Sequence, residues 1–281
     1  MTATIVNGRE IAKQLRKKVA REISRFTIPP CITTLMVGHE SSSDLYLKLR
    51  DAACKEVGIH SSHQILEKSV SEKDVIQKIE ELNTSNKIHG ILIQYPVPNH
   101  ISQERLMSAI VPQKDVEGLH PFNMGNTLLG REHLIPCTPQ AVLEILQKYS
   151  KPLQGKDVTI VSHSNIVGKP LATLLLNRNA SVAICHVFSK DISIYTKQAD
   201  ILISATGVPK LITKDHVKNN AIVIDVGIIK TKDGICGDVD FESVKKQAKI
   251  LTPVPGGVGP VTIACSLKNM VKTYRNCLGS K

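Results

Sequence analysis

Tryptophan is absent from this chain, and tyrosine and phenylalanine together supply only 3% of its 281 residues. Surfaces that hold nucleic acid strands stack bases on aromatic rings, so this scarcity argues against such a role in spite of a formal net charge of +11. The basic residues are spread along the chain. Their one dense run, Lys13-Gln14-Leu15-Arg16-Lys17-Lys18, lies among Ile11, Leu15, Val19 and Ile23 at helical spacing and reads as the solvated face of an amphipathic helix. A basic surface of this kind also attracts small polyanionic ligands. No apolar run approaches the roughly eighteen residues that a membrane span requires. The segment Met1 to Gly8 lacks a long apolar stretch and a cleavage site, so neither export nor a membrane partner is expected.

Paired cysteines are missing as well. Seven cysteines occur, none in a C-x-x-C pair, and their odd number argues against a disulfide framework. A reducing, cytoplasmic setting is therefore expected. His60 with His63, and Cys185 with His186, have no second half that would complete a metal site, so no metal is expected. Low-complexity segments and internal repeats are lacking too.

What the chain does have is alternation. Apolar strand-like runs alternate with helical patterns throughout, which predicts an α/β architecture with mostly parallel sheets, and the length suits two domains. In the first series, Ile32 to Val37 and Gly90 to Gln94 read as strands, with a weaker one over His60 to Leu66 and helices over Asp44 to Val57 and Glu72 to Leu82. In the second, strands are expected over Asp157 to Ser162, Ser181 to His186, Asp200 to Ala205 and Ala221 to Val226, with a helix over Lys169 to Asn177. The join falls near Cys137-Thr138-Pro139, which opens a helix running towards Tyr149.

The densest signal is Thr252-Pro253-Val254-Pro255-Gly256-Gly257-Val258-Gly259-Pro260-Val261-Thr262, three prolines and three glycines in eleven residues just before a helical pattern. Proline fixes φ and removes a donor, while glycine opens φ > 0 and lets a ligand approach bare backbone. Such a loop serves either as a rigid hinge or as an anion-binding helix entrance. Three strands of the second series also end in turn residues, namely Ser162-His163-Ser164-Asn165-Ile166-Val167-Gly168, Thr206-Gly207-Val208-Pro209 and Asp225-Val226-Gly227. Turns at the carboxyl ends of parallel strands are where open α/β sheets bind dinucleotides, although the usual G-x-G-x-x-G is missing.

Two further segments, Gln94-Tyr95-Pro96-Val97-Pro98 and Lys114-Asp115-Val116-Glu117-Gly118-Leu119-His120, join Ser43-Asp44-Leu45-Tyr46 and the Pro/Gly loop. With these in their order and spacing, the chain resembles the methylenetetrahydrofolate dehydrogenase/methenyltetrahydrofolate cyclohydrolase family over nearly its whole length. The resemblance implies an N-terminal α/β folate-binding domain over 1–138, to which a C-terminal helix over 261–281 returns. It also implies a Rossmann-like parallel-sheet domain over 139–260, a cleft between the two, and a homodimer. The expected substrates are tetrahydrofolate derivatives. The dehydrogenase of such proteins passes hydride from methylenetetrahydrofolate to a nicotinamide, NADP ahead of NAD, and the cyclohydrolase adds water to the methenyl cation that results.

By position in the family's motifs, Tyr46 packs on the pterin, Gln94 orients the catalytic basic residue, and Arg50 occupies that residue's place. Glu117, Pro255, Gly256 and Gly257 are expected at the folate. Cofactor contacts are expected from Ser162, His163, Ser164 and Ile166 in the first turn and from Val187 after the second strand. Thr206, Gly207, Gly227, Gly259 and Thr262 complete that expectation.

The chain departs from the family at two of these positions. The pattern Tyr-x-x-x-Lys reads Tyr46-Leu47-Lys48-Leu49-Arg50, and the second Asp of Lys-Asp-Val-Asp-Gly reads Glu117. Arginine effectively never gives up its proton, so a lysine-type role as proton acceptor is closed to Arg50. We expect Arg50 and Glu117 to compensate each other, keeping hydride transfer and reducing or abolishing the hydrolysis. Val187 and Phe188 likewise replace the serine and basic residue common at the ribose 2′-phosphate, leaving His163 and Lys190 as substitutes. A catalytically silent folate or nucleotide binder, a different Rossmann dehydrogenase and a nucleic-acid-binding protein are the competing readings.

Overall fold

The computed structural model describes residues 2–38, 44–150, 152–232 and 234–279. Its strands are β1 (Thr4–Ile5), β2 (Cys31–Val37), β3 (His60–Leu66), β4 (Gly90–Ile93), β5 (Asp157–Val161), β6 (Ser181–Cys185), β7 (Ile201–Ser204), β8 (Ile222–Asp225), β9 (Ile229–Thr231), β10 (Gly234–Cys236) and β11 (Ile250–Leu251). The helices are α1 (Gly8–Ile23), α2 (Asp44–Val57), α3 (Glu72–Thr84), α4 (Gln103–Ala109), α5 (Pro121–Leu128), α6 (Cys137–Tyr149), α7 (Gly168–Leu176), α8 (Ser193–Thr196), α9 (Phe241–Val244) and α10 (Val258–Cys277). No helix among the described residues is long and apolar enough to cross a membrane.

Two compact units emerge, one of residues 1–12 and 138–262, the other of residues 13–137 and 263–281. The expected first domain began at residue 1, whereas residues 1–12 cluster with the later sheet. The physical reason is strand pairing: Thr4 and Ile5 lie parallel to Ile250 and Leu251, so β1 extends that sheet.

The unit containing residues 138–262 carries a six-stranded sheet in the order β1-β11-β8-β7-β5-β6, every pair parallel. Its inner strands are near-continuous apolar runs, as β7 and β8 show with every residue buried, because parallel sheets are covered on both faces. An antiparallel hairpin of β9 and β10 stands apart from the sheet. The carboxyl ends of β5, β7 and β8 open into the three predicted turns, so the sheet presents them along one edge.

The other unit holds a three-stranded parallel sheet ordered β3-β2-β4. Helix α3 shows why its sequence is helical. Ser71 caps it by accepting the Asp74 N–H at 3.2 Å, and Val75, Ile79 and Leu82 at i, i+4 and i+7 are buried. Each of those side chains contributes about 1.5–3 kcal/mol on burial. At the far end of α3, Lys114 donates to the carbonyls of Leu82, Asn83 and Ser85 at 3.1, 2.7 and 2.8 Å. These are last-turn acceptors that no helical N–H can reach. Gly90, at the start of β4, has no room for a side chain, since a Cβ there would lie 2.5 Å from Met270 Sδ and Val116 Cγ2.

Replacing Lys114 by Met removes three charge-assisted bonds, including the one to the buried Leu82 carbonyl. We expect Lys114→Met to destabilise this unit by about 2–3 kcal/mol, read as a lowered urea midpoint. An unchanged midpoint would contradict this account of the α3 terminus.

Candidate active site

The unit containing residues 13–137 gathers Tyr46, Arg50 and Glu117. Tyr46 and Arg50 are four residues apart on α2 and therefore share a face. The Arg50 guanidinium carbon lies 5.8 Å from the centre of the Tyr46 ring, a cation–π distance. Arg50 is 0% exposed. Its Nη2 donates to Thr34 Oγ1 on β2 at 2.7 Å, while its Nε and Nη1 are buried with no partner among the described residues. Leaving such donors unpaired is costly, so their presence marks a place where a ligand's acceptors would complete the bonding.

Glu117 is held by its neighbours' backbone. Asp115 accepts the N–H groups of Gly118 and His120 at 2.9 and 2.8 Å and the Asn123 amide at 2.8 Å, fixing the turn around residue 117. Asn269 donates to the Val116 and Ile135 carbonyls, each at 2.9 Å. Gly118 has φ +71° and passes so close to Ile135 that a Cβ would lie 2.5 Å from its carbonyl carbon. Burial pushes the Glu117 carboxyl up to about 7, with the Arg50 charge pulling it down and Asp115 pushing it further up. Burial also raises the Tyr46 hydroxyl, which Glu117 raises further and Arg50 lowers.

Arg50 and Glu117, expected to compensate each other, form no ion pair within 4 Å among the described residues, and the Arg50 charge acts on Glu117 through space. Gln94 departs from expectation in the same way, since its amide donates to the Tyr95 carbonyl at 2.9 Å while Arg50 bonds Thr34. Tyr95, in the cis Tyr95–Pro96 step, buries a hydroxyl with no partner among the described residues, and it lines a small cavity with Glu117 and Asp115. Ser43, part of the segment beside Tyr46, lies outside the described residues.

In the unit containing residues 138–262, the turn after β5 brings Ser162, His163, Ser164 and Ile166 to the start of α7. Ser164 Oγ accepts the Val167 and Gly168 N–H groups at 3.1 and 3.3 Å. A Cβ on Gly168 would lie 2.2 Å from the Ser162 carbonyl oxygen, so only glycine lets α7 begin this close to β5. The His163 and His186 rings stand 5.0 Å apart, and His186 Nδ1 accepts the Phe188 N–H at 3.2 Å, which leaves the neutral ring's proton on Nε2. Val187 and Phe188 beside them are 84% and 83% exposed.

Gly207 has φ +73°, and Gly227 is buried at the end of β8. The Pro/Gly loop contains a cis Val254–Pro255 step and Gly256 at φ +105°, and it enters α10 at Val258. Pro255 is exposed, and the Gly256 carbonyl accepts the Gly8 N–H at 3.1 Å. A Cβ on Gly257 would lie 2.5 Å from the Pro253 carbonyl oxygen. Gly259 and Thr262 lie in the first turns of α10, where Thr262 donates to the Val258 carbonyl at 3.3 Å. Among the described residues no disulfide joins any of the seven cysteines, and no cluster of three or more metal-ligating side chains occurs.

Known proteins show the same two parts in the same order. Residues 6–117 match the family described as tetrahydrofolate dehydrogenase/cyclohydrolase, catalytic domain, and residues 136–278 match its NAD(P)-binding domain. The chain belongs to the tetrahydrofolate dehydrogenase/cyclohydrolase family. The bifunctional protein FolD of Methanosarcina barkeri is 46% identical over 271 residues, which cover 95% of this chain and 94% of that protein. The crystal structure of the bifunctional FolD methylenetetrahydrofolate dehydrogenase/cyclohydrolase from Campylobacter jejuni aligns with a TM-score of 0.95 at 41% identity, covering 98% of this chain and 99% of that one. FolD of Trypanosoma brucei, solved with NADP and an inhibitor, aligns with a TM-score of 0.93 at 32% identity and 99% coverage of both chains.

Within this family member, Thr34, Tyr95, Asp225 and Asp238 are polar groups of the two units that sequence reading did not single out as site residues. Tyr95 lay inside a segment already noted. Thr34 gave no signal, because an alternating strand pattern does not say which hydroxyl meets a helix 16 residues later.

Glu117 also links site and stability. Its folded pKa lies above its ordinary value of 4.5, so the stability it contributes is fully present below about 4.5 and is lost as pH rises through about 7. Relative to the unaltered protein, Glu117→Gln should therefore gain on the order of 2 kcal/mol between pH 4.5 and 7.5, measured as the difference between the two unfolding curves across pH. Parallel curves would mean that the carboxyl is not raised.

Proposed function

We propose that this chain oxidises methylenetetrahydrofolate to methenyltetrahydrofolate by passing hydride to NADP, and hydrolyses the product to formyltetrahydrofolate more weakly. The observation that carries the reading is the Tyr46–Arg50–Glu117 group, set in the part of the chain that matches the family's catalytic domain. Residues 13–137 with 263–281 then form the folate-binding part, and residues 138–262 the nucleotide-binding part.

The nicotinamide of NADP supplies the hydride acceptor. Glycine-enforced turns at the carboxyl ends of β5, β7 and β8 fit such a cofactor, because they leave backbone close to the sheet edge without side chains in the way. We assign Ser162, Ser164 and Ile166 to that turn, with Val187, Thr206, Gly207, Gly227, Gly259 and Thr262 around the dinucleotide. Pro255, Gly256 and Gly257 are assigned to the folate. His163 stands in for the basic residue at the 2′-phosphate, with Lys190 following in sequence.

In the folate-binding part, Tyr46 offers a flat ring for the pterin and the free Nε and Nη1 of Arg50 offer two fixed donors to the ligand's acceptor atoms. Hydride loss leaves a cation. The Arg50 charge opposes that cation, and ionised Glu117 offsets the opposition. Hydrolysis asks for something more, since the attacking water must lose a proton. Arg50 has none to exchange and no capacity to accept one.

The same reading implies a homodimer in the cytoplasm. The outer edge of β3, which pairs with no other strand among the described residues, is consistent with a dimer.

Assayed separately on purified protein, hydride transfer should exceed hydrolysis by at least about tenfold, and Arg50→Lys should raise the hydrolysis rate relative to hydride transfer. A hydrolysis rate equal to hydride transfer in the unaltered protein would sink the weakened second step. For the cofactor, kcat/KM should favour NADP over NAD, and His163→Ala should lower it for NADP by about tenfold while sparing NAD. Equal losses for both dinucleotides would remove His163 from the 2′-phosphate.

A further inference from the structure

The end of β8 and the segment after β10 carry the same three residue types in different order, Asp225-Val226-Gly227 and Gly237-Asp238-Val239. In space each aspartate occupies the room left by the other segment's glycine. A Cβ on Gly227 would lie 2.1 Å from Asp238 Oδ1, and a Cβ on Gly237 would lie 2.0 Å from Asp225 Oδ2. Neither glycine adopts positive φ, so what is required there is space.

The carboxylates take nearly all of their donors from backbone. Asp238, 0% exposed, accepts Ser204 Oγ–H at 2.7 Å and Thr206 N–H at 2.6 Å on Oδ2, and Gly207 N–H at 3.0 Å on Oδ1. Asp225 accepts the N–H groups of Gly227, Asp238 and Val239 at 3.0, 3.0 and 2.9 Å. The Asp225 N–H in turn donates to Thr252 Oγ1 at 2.7 Å, where the Pro/Gly loop begins. No Lys or Arg pairs with either carboxylate among the described residues. Two buried acids without a cation are an expensive way to hold a fold together, which asks what they hold.

We propose that Asp225 and Asp238 form a latch that sets the conformation of the Thr206–Gly207 turn, making Asp238 a positioning residue for dinucleotide binding. This rests on the dinucleotide reading above. Gly207 is exposed at φ +73°, a turn with no side chain of its own to pack, so its N–H bond to Asp238 is its main anchor. Through Asp225 and Thr252 the same latch reaches the Pro/Gly loop, and three segments assigned to ligand binding are thereby fixed relative to one another inside one unit.

The test is calorimetric titration of NADP into unaltered protein, Asp238→Asn and Ser204→Ala, together with melting temperatures and the KM for folate. Asn keeps the shape and sets an N–H against an N–H, so Kd for NADP should rise about tenfold, with a two- to threefold rise for Ser204→Ala and no change in the folate KM. Asp200→Asn, which breaks only an exposed ion pair with Lys218 and a bond to Asp157, should bind NADP normally. If Asp238→Asn does not fold, Ser204→Ala decides alone. Lowered melting temperatures with Kd unchanged in the folded variants would overturn the latch as a positioning device. Failure of the unaltered protein to bind any dinucleotide would sink both the cofactor reading and the latch.

Discussion

A charge that cannot be neutralised governs one half of this molecule. Arg50 is fully enclosed, with one hydrogen bond to Thr34 and a tyrosine ring 5.8 Å away. A lysine so enclosed would lower its pKa and exist in part as the free amine, but a guanidinium stays charged and its surroundings adjust instead. That adjustment is visible in Glu117: burial drives the carboxyl up to about 7 and Arg50 pulls against that rise. The Tyr46 and Tyr95 hydroxyls are pushed upward by burial, away from neutrality. Glu117 is consequently the group of this cluster whose protonation changes near neutral pH.

The other half solves its positioning problem without cations. Its turns are shaped by missing side chains, at Gly168 against Ser162, at Gly227 against Asp238 and at Gly237 against Asp225. At Gly227 and Gly237 a carboxylate fills the room of the absent Cβ and collects backbone N–H donors. Backbone donors are rigid and carry no net charge, so a turn built this way keeps its shape without adding positive charge of its own. In the proposed reading, recognition of the phosphate falls to exposed groups such as His163, which are free to differ without disturbing the frame.

Strands made of β-branched runs were legible because burial on both faces favours β-branched, mostly apolar residues, as in Val158-Thr159-Ile160-Val161. Helix α1 was legible from the four-residue spacing of Ile11, Leu15, Val19 and Ile23, all buried. What escaped was short or non-local. Strands β1 and β11 are two residues each, below any periodicity, and their pairing moves residues 1–12 into the other unit. The hairpin of β9 and β10, and helices α4, α5, α8 and α9, fall in segments too brief or too polar to announce themselves. At the site, Arg50 and Glu117 stood out against a motif, whereas Asp238 reaches Ser204, Thr206 and Gly207 across more than thirty residues of chain. The glycines beside the two aspartates were the only local trace of that reach.

Hydride transfer and hydrolysis place different demands on the same pocket. The first needs two ligands held in line and a field that tolerates a new cation; a fixed donor such as Arg50, balanced by a nearby carboxylate, meets that demand as well as a lysine does. The second needs a proton to leave the attacking water within the lifetime of the encounter, which requires a group able to change its charge. Arg50 never changes charge. If the carboxylate of Glu117 accepts that proton, it loses its charge as the methenyl cation is consumed, so the net charge of pocket and ligand is unchanged while Arg50 is left without its counter-charge. In the proposed reading Arg50 and Glu117 together serve hydride transfer, while any proton uptake during hydrolysis is left to Glu117, the one group of the pair that can change its charge.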